Sequence, residues 1–83
     1  MADLYPTPTR LALLRDVDAG RVADDTRGDA WLTVGRSVAR VTARVAALAA
    51  AGWIERPDQG AVWQLTPAGR AVLDAADASR GRP

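Results

Sequence analysis

The sequence contains no cysteine, histidine, lysine, phenylalanine or asparagine. Without cysteine and histidine the chain can form neither disulfides nor thiolate or imidazole metal sites, and no side chain titrates near neutral pH in the ordinary way. The remaining acids and bases are carboxylates and Tyr5, which offer little for nucleophilic or general acid–base catalysis. We therefore expect a protein that is not an enzyme and that has no cofactor and no metal ion.

Long apolar runs are also missing. No stretch approaches the roughly 20 residues that a membrane span needs, and the N-terminal residues do not form a basic-plus-apolar signal peptide. The 83 residues predict a single domain over 1–83, with residues 1–6 as an N-terminal arm and residues 79–83 as a frayed tail. The expected location is the cytoplasm, with no membrane contact.

The net charge of +1 conceals an uneven distribution along the chain. Residues 1–35 carry four arginines against six aspartates, whereas residues 36–70 carry five arginines against one aspartate and one glutamate. Positive charge concentrated on one segment is typical of a nucleic-acid-binding face. The exclusive use of arginine, together with frequent alanine, indicates a GC-rich coding genome more than a choice of arginine for bidentate contacts.

Local signals organise the first half of the chain. Thr7 and Pro8 begin a helix that we predict over Pro8–Ala19, because threonine caps free N–H groups and proline suits the first helical position. The turn-forming residues 24–29 then predict a β-hairpin, with strands near 21–24 and 30–34, where a helix-turn-helix would have its second helix. The second helix would then be shortened to a turn near residues 34–37, or missing; a shortened second helix in place of the hairpin is the alternative.

The strongest predicted element is a helix over residues 37–51, with Ser37 at its N-cap and Gly52 ending it. The face opposite the apolar residues of this helix carries arginines and small alanines. Such a face is typical of a solvated helix surface, and it is also typical of a helix that enters a DNA groove. Four apolar residues recur at spacings that place them on the buried face: Val38, Val41, Val45 and Leu48.

The last third of the chain reads as a hairpin followed by a helix. Two short strands within residues 53–65 flank Pro57-Asp58-Gln59-Gly60, which is typical of a type I turn. Thr66-Pro67 repeats the cap-plus-proline arrangement and begins a C-terminal helix, which we expect to bury Ala71 and Val72, with Ala75 as a further candidate.

A family resemblance rests on two runs: Leu48-Ala49-Ala50-Ala51-Gly52-Trp53-Ile54-Glu55-Arg56 and Trp63-Gln64-Leu65-Thr66-Pro67-Ala68-Gly69-Arg70. Together they resemble the winged helix-turn-helix regulators of the MarR and PadR type. Recognition helices in those families end in a similar leucine–glycine–apolar–apolar pattern, and the second wing strand often continues into leucine-threonine-x-x-glycine. The resemblance covers roughly residues 38–75, about half of the chain. The chain departs from those families by lacking a recognisable second helix, a long wing and long dimerisation helices.

The resemblance implies a small α+β winged helix-turn-helix domain that binds double-stranded DNA in a sequence-specific way. It would act as a transcriptional regulator such as a repressor, or in an architectural role on plasmid or phage DNA, and it would be associated with the nucleoid in the cytoplasm. Helix 37–51 would lie in the major groove, and the wing over residues 53–65 would contact the backbone. Useful affinity would require a homodimer or tandem binding, and no small-molecule effector is expected. The expected DNA-binding residues are Arg36, Ser37, Arg40, Ala43, Arg44 and Arg56.

Other interpretations of the sequence lead to different functions. The low net charge and the acidic first half would also suit a winged-helix module that binds protein and not DNA. The three tryptophans could stack on RNA or single-stranded DNA, although large rings are also the natural filler of an alanine-rich core. Asp24, Asp25 and Asp29 could surround Mg²⁺, but aspartates beside a glycine more often form turns.

Overall fold

A computed structural model describes residues 4–57 and 60–80 of the chain. These residues form three helices and two antiparallel sheets, which confirms the α+β class. In chain order the elements are α1 (Pro8–Asp18), β1 (Val22–Asp24), β2 (Ala30–Val34), β3 (Ser37–Arg40), α2 (Thr42–Ala50), β4 (Ile54–Glu55), β5 (Gln64–Leu65) and α3 (Pro67–Arg80).

Helix α1 forms as the sequence predicts. The Thr7 hydroxyl accepts a hydrogen bond from the Arg10 N–H at 3.3 Å, and Pro8 occupies the first turn, where its missing N–H costs nothing. The helix ends at Asp18, and Gly20 takes a φ of +76°, which lets the chain reverse into β1. The face turned inward contributes Leu13, Leu14 and Val17 to the core.

The hairpin predicted within residues 21–34 is confirmed as β1 and β2, which pair with Val22 opposite Leu32. No helix forms in this segment: Gly35 and Arg36 make a two-residue hairpin loop between the paired residues Val34 and Ser37, so the second helix is reduced to a turn, as expected for a chain with this hairpin. Gly35 takes a φ of +59°, as the first loop position of a type II′ turn requires, and Val34 then pairs with Ser37.

The helix predicted over residues 37–51 is only partly correct, since α2 covers Thr42–Ala50 and residues 37–40 form strand β3. Ser37 is therefore not an N-cap, and Val38 is 61% exposed instead of buried. The turn at Gly35 returns the chain along the second edge of β2, where pairing supplies backbone partners to both strands. Those inter-strand hydrogen bonds favour β3 over one more turn of helix.

The hairpin predicted over residues 53–65 is present with only two paired residues in each strand, β4 and β5. Just before β5, the chain also pairs with the free edge of β1: the Trp63 N–H donates to the Val22 carbonyl at 2.9 Å, and the Asp24 N–H donates to the Ala61 carbonyl at 2.8 Å. This hairpin is thereby attached to the three-stranded sheet. Residues 58 and 59 of the predicted turn lie outside the described residues.

Helix α3 is joined to the end of α2 through Thr66. Its hydroxyl donates to the Gly52 carbonyl at 2.5 Å and accepts from the Gly69 N–H at 3.1 Å, while its own N–H donates to the Trp53 carbonyl at 3.0 Å. Gly69 is buried against Trp53, and a Cβ added there would lie 2.8 Å from the Trp53 carbonyl carbon and overlap its oxygen. Thr66 and Gly69 therefore both belong to one close contact between the start of α3 and the turn that follows α2.

The core is formed by the three helices together with β1, β2 and β4, while the four residues of β3 are exposed. Leu73 is its contribution from α3. Val72 is half-buried, and Ala71 and Ala75, which we expected to be buried, are exposed. Helix α3 continues to Arg80, so the first two residues of the predicted tail are helical, while residues 81–83 lie outside the described part. The buried apolar residues are Leu13, Leu14, Val17, Val22, Ala30, Val41, Val45, Leu48, Trp53, Ile54 and Leu73.

Candidate nucleic-acid interface

The exposed face of α2 consists of small residues with an arginine pair on one side. Ala43 and Arg44 are exposed near the start of the helix. Arg44 and Arg10, which belongs to α1, line one groove of about 240 Å³, together with Leu13 and Ala47. Arg10 donates to the Tyr5 carbonyl at 2.9 Å, which orients its guanidinium at the start of α1. Two arginines from distant parts of the sequence thus line the same groove beside α2.

A second groove lies on the other side of Ala43. It measures about 330 Å³ and is lined by Arg40, Thr42, Ala43 and Ala46. Ala43 therefore forms a ridge with arginines on both flanks. Because the alanine side chains of this ridge are short, a ligand can approach the helix backbone closely while the arginines reach past it.

The N-terminus of α2 points its free N–H groups into the same region. Val41 occupies the N-cap position and makes no side-chain capping hydrogen bond, and the first turn contains no acidic residue. The positive end of a helix dipole favours anions, so the backbone adds to the charge of the nearby arginines.

Arg40 is not an independent cation, because Asp29 lies beside it. The Arg40 guanidinium lies 3.2 Å from the Asp29 carboxylate, which also accepts from the Thr42 hydroxyl at 3.2 Å. The Thr42 hydroxyl in turn accepts from the Ala30 N–H at 3.0 Å. Asp29 is therefore fixed by the loop between β1 and β2 and by the first residue of α2.

Arg56 is also paired, with Asp24 at the end of β1. The Asp24 side chain is only 10% exposed, and it accepts a second hydrogen bond from the Trp63 indole N–H at 2.7 Å. The Arg56 guanidinium lies 5.8 Å from the centre of the Trp63 ring, within cation–π range. Arg56, which we expected to meet DNA, belongs to a cluster that holds the second hairpin against the sheet.

Replacing Arg56 with alanine should lower the free energy of unfolding by about 1–2 kcal/mol, because the nearly buried Asp24 carboxylate loses its cation. Urea denaturation would measure the change. Arg70→Ala is the matched control, since Arg70 pairs with Asp18, a carboxylate that is 39% exposed and can be solvated by water. Equal losses in the two variants would contradict the clamping role of Arg56.

Asp25 organises the loop between β1 and β2. One carboxylate oxygen accepts from the backbone N–H groups of Arg27 and Asp29 at 2.8 and 3.0 Å, and the other accepts from the Trp31 indole at 2.8 Å. The Trp31 indole, followed by the Asp29 N–H, lowers the pKa of Asp25 below its ordinary value. The aspartates of this loop thus have structural partners, and the described residues contain no cluster of three or more acidic, histidine or cysteine side chains suited to a metal ion.

The lowered pKa predicts how acid affects folding. The stabilising contribution of ionised Asp25 is complete above the unfolded-state pKa of about 4 and is lost as the pH falls through the lower folded-state value. The stability difference between the wild type and Asp25→Asn should therefore shrink as the pH falls below about 4. Urea denaturation across this pH range tests the prediction. In a Trp31→Phe background the same difference should depend less on pH, and an unchanged dependence would refute the role of the indole.

Of the six sequence-predicted site residues, Arg56 follows β4 in the second hairpin, and the other five lie on α2 or on the β2–β3 hairpin. Ala43 and Arg44 lie on α2, Arg36 lies at the exposed tip of the β2–β3 hairpin, and Ser37 and Arg40 lie on the exposed strand β3. Sequence reasoning missed Arg10, because nothing in the local sequence indicates that α1 places it beside Arg44. It also missed the aspartate partners of Arg40 and Arg56.

Comparison with known proteins gives no identification. The chain matches no family model, no curated protein and no solved structure. Across residues 4–57 and 60–80, no helix is both long enough and apolar enough to cross a membrane.

Proposed function

We propose that this chain binds double-stranded DNA through α2 and acts as a transcriptional regulator. The observation that carries the proposal is the Ala43 ridge at the uncapped start of α2, with Arg10 and Arg44 on one side and Arg40 on the other. Short side chains allow close approach to base edges, while arginines and free N–H groups suit phosphate oxygens.

The order of elements supports the same proposal. Helix α2 is followed at once by the short hairpin β4–β5 and then by α3, and residues 61–63 add to the edge of β1. We infer a variant of the winged helix in which the strands β2 and β3 occupy the chain segment of the usual second helix. In this proposal, Arg36 at the tip of the β2–β3 hairpin contacts the DNA backbone. Binding as a homodimer stays a prediction.

Titration of a duplex at two salt concentrations tests the proposal. If Arg10, Arg36 and Arg44 each neutralise one phosphate, the affinity should fall about 40-fold between roughly 50 and 200 mM salt. Single-stranded DNA of the same sequence is the control for stacking by the tryptophans, and it should bind more weakly.

The second candidate, a module that binds protein, has one observation in its favour. The β2–β3 hairpin exposes two apolar side chains, Val34 at 44% and Val38 at 61%. Absence of salt-dependent binding to duplex DNA, in a chain that circular dichroism shows to be folded, would favour this candidate over DNA binding.

A further inference from the structure

Asp29 lies at the edge of the surface that we assign to DNA. Its side chain is 30% exposed, whereas the side chain of Arg40, its partner, is 64% exposed. Asp29 is also held by the Thr42 hydroxyl at 3.2 Å, while Arg40 extends from an exposed strand. The carboxylate is therefore the fixed member of the pair and the guanidinium is the member that can change partners.

We propose that Asp29 competes with DNA phosphate for Arg40 and so limits the affinity of this chain for duplex DNA. The inference rests on the proposed function. A guanidinium that already pairs with a carboxylate must give up that contact, wholly or in part, to pair with a phosphate. The aspartate thus acts as an intramolecular substitute for the phosphate at the start of α2.

Arg44 provides an internal comparison. It lies on the other side of the Ala43 ridge, and it forms no ion pair with any residue in 4–57 or 60–80. Arg40 and Arg44 lie on opposite sides of one ridge, and of these two only Arg40 forms an ion pair with a carboxylate among the described residues. The two should therefore contribute differently to binding, and the difference should be largest in the salt dependence.

The expected difference follows from counterion release. An unpaired arginine that neutralises a phosphate releases a condensed cation and adds about 0.9 to the steepness of log K against log salt. When Arg40 leaves Asp29 for a phosphate, the Asp29 carboxylate stays beside the DNA, where cations are concentrated, and it retains one of them, so the net release is close to zero. Arg40 should thus add little to the salt dependence for as long as Asp29 is charged.

Asp29→Asn tests the proposal by removing the charge while keeping an acceptor for Thr42. We expect duplex affinity at low salt to rise about threefold, the size typical of one exposed ion pair, and the salt slope to steepen by about 0.9. Asp77→Asn is the matched control, because it makes the same change in net charge at the Arg15 pair between α1 and α3. It should leave the slope unchanged.

A double-mutant cycle identifies the partner. If Asp29 acts through Arg40, then Asp29→Asn should give no gain in affinity and no change in slope in an Arg40→Gln background. Should Asp29→Asn fail to fold, two other variants test the same idea with Asp29 intact. Arg40→Gln should leave the slope unchanged, whereas Arg44→Gln should lower it by about 0.9.

The outcomes separate this inference from the proposed function. If neither the folded wild type nor folded Asp29→Asn binds duplex DNA at low salt, DNA binding itself is refuted. If the wild type binds and Asp29→Asn binds identically, or gains no more than Asp77→Asn, the competition is refuted and DNA binding stands. If the salt slope falls as much in Arg40→Gln as in Arg44→Gln, the competition between Asp29 and phosphate is refuted as well.

Discussion

Gly69→Ala should lower the free energy of unfolding by about 3 kcal/mol or more, which corresponds to a fall in Tm of roughly 10–20 °C. The added methyl group would overlap the carbonyl oxygen of Trp53 and lie 2.8 Å from its carbonyl carbon. Because the contact is with backbone and not with a flexible side chain, the first turn of α3 has to move away from the end of α2. That movement would also strain the Thr66 hydrogen bonds to Gly52 and Trp53.

The direction of the change in stability distinguishes a steric clash at Gly69 from a simple effect of helix propensity. Helix propensity alone predicts that glycine to alanine within a helix stabilises by up to about 1 kcal/mol. Ala68→Gly, at the exposed neighbouring position, is the control and should cost about 0.5–1 kcal/mol through propensity alone. Thermal denaturation of the two variants beside the wild type gives the comparison. A Gly69→Ala protein as stable as the wild type would mean that α3 does not pack on Trp53 as described.

Replacing Arg10 and Arg44 together with glutamine should weaken binding to duplex DNA about 100-fold at low salt, since two charge-assisted contacts are lost. The salt slope should become shallower by about 1.8. Fluorescence anisotropy of a labelled duplex at several salt concentrations measures both quantities. The fold should persist, because both side chains lie outside the hydrophobic core.

The matched control is Arg15→Gln with Arg70→Gln. It removes the same amount of charge from the contacts between α1 and α3, where Arg15 pairs with Asp77 and Arg70 pairs with Asp18. At 0.1 M salt the affinity of this control should change little, because charge effects are largely screened beyond about 10 Å, whereas the Arg10 and Arg44 variant should still bind much more weakly than the wild type. If the two double variants lose affinity equally, net charge and not the α2 surface governs binding.

The elements that could be predicted are those with signals inside a few residues. Thr7 and Pro8 mark the start of α1, and Thr66 and Pro67 mark the start of α3, because a capping side chain reaches only the first turn of its own helix. The turn residues 24–29 mark the β1–β2 hairpin for the same reason. Each of these signals is complete within its own segment.

Strand β3 could not be predicted in this way. Val38 and Val41 fit the helical spacing of Val45 and Leu48, so the local pattern supports a helix starting at Ser37. The decisive factor is the open edge of β2, which residues 37–40 fill with backbone hydrogen bonds. That edge exists only once β1 and β2 have paired, and its effect outweighs the helical pattern.

The candidate site, too, could be predicted from the sequence only in part. Arg36, Arg40, Ala43 and Arg44 belong to the basic segment, and their position near α2 follows from their place in the sequence. The segment alone does not distinguish a free arginine from a paired one. Asp24 reaches Arg56 only because residues 61–63 pair with the edge of β1, and Asp29 reaches Arg40 only through the folded loop between β1 and β2. Two of the four arginines that we expected to meet DNA are therefore held in ion pairs.

By itself, the sequence determined the α+β class, the starts of α1 and α3 and the basic segment around α2, because caps, turns and charge runs act between near neighbours. Only the tertiary structure decided that residues 37–40 form a strand, that Arg10 lines the same groove as Arg44, and that Arg40 forms an ion pair with Asp29. Strand pairing and ion pairs depend on which distant segments are brought within a few ångströms of each other, and that proximity is a property of the packed chain.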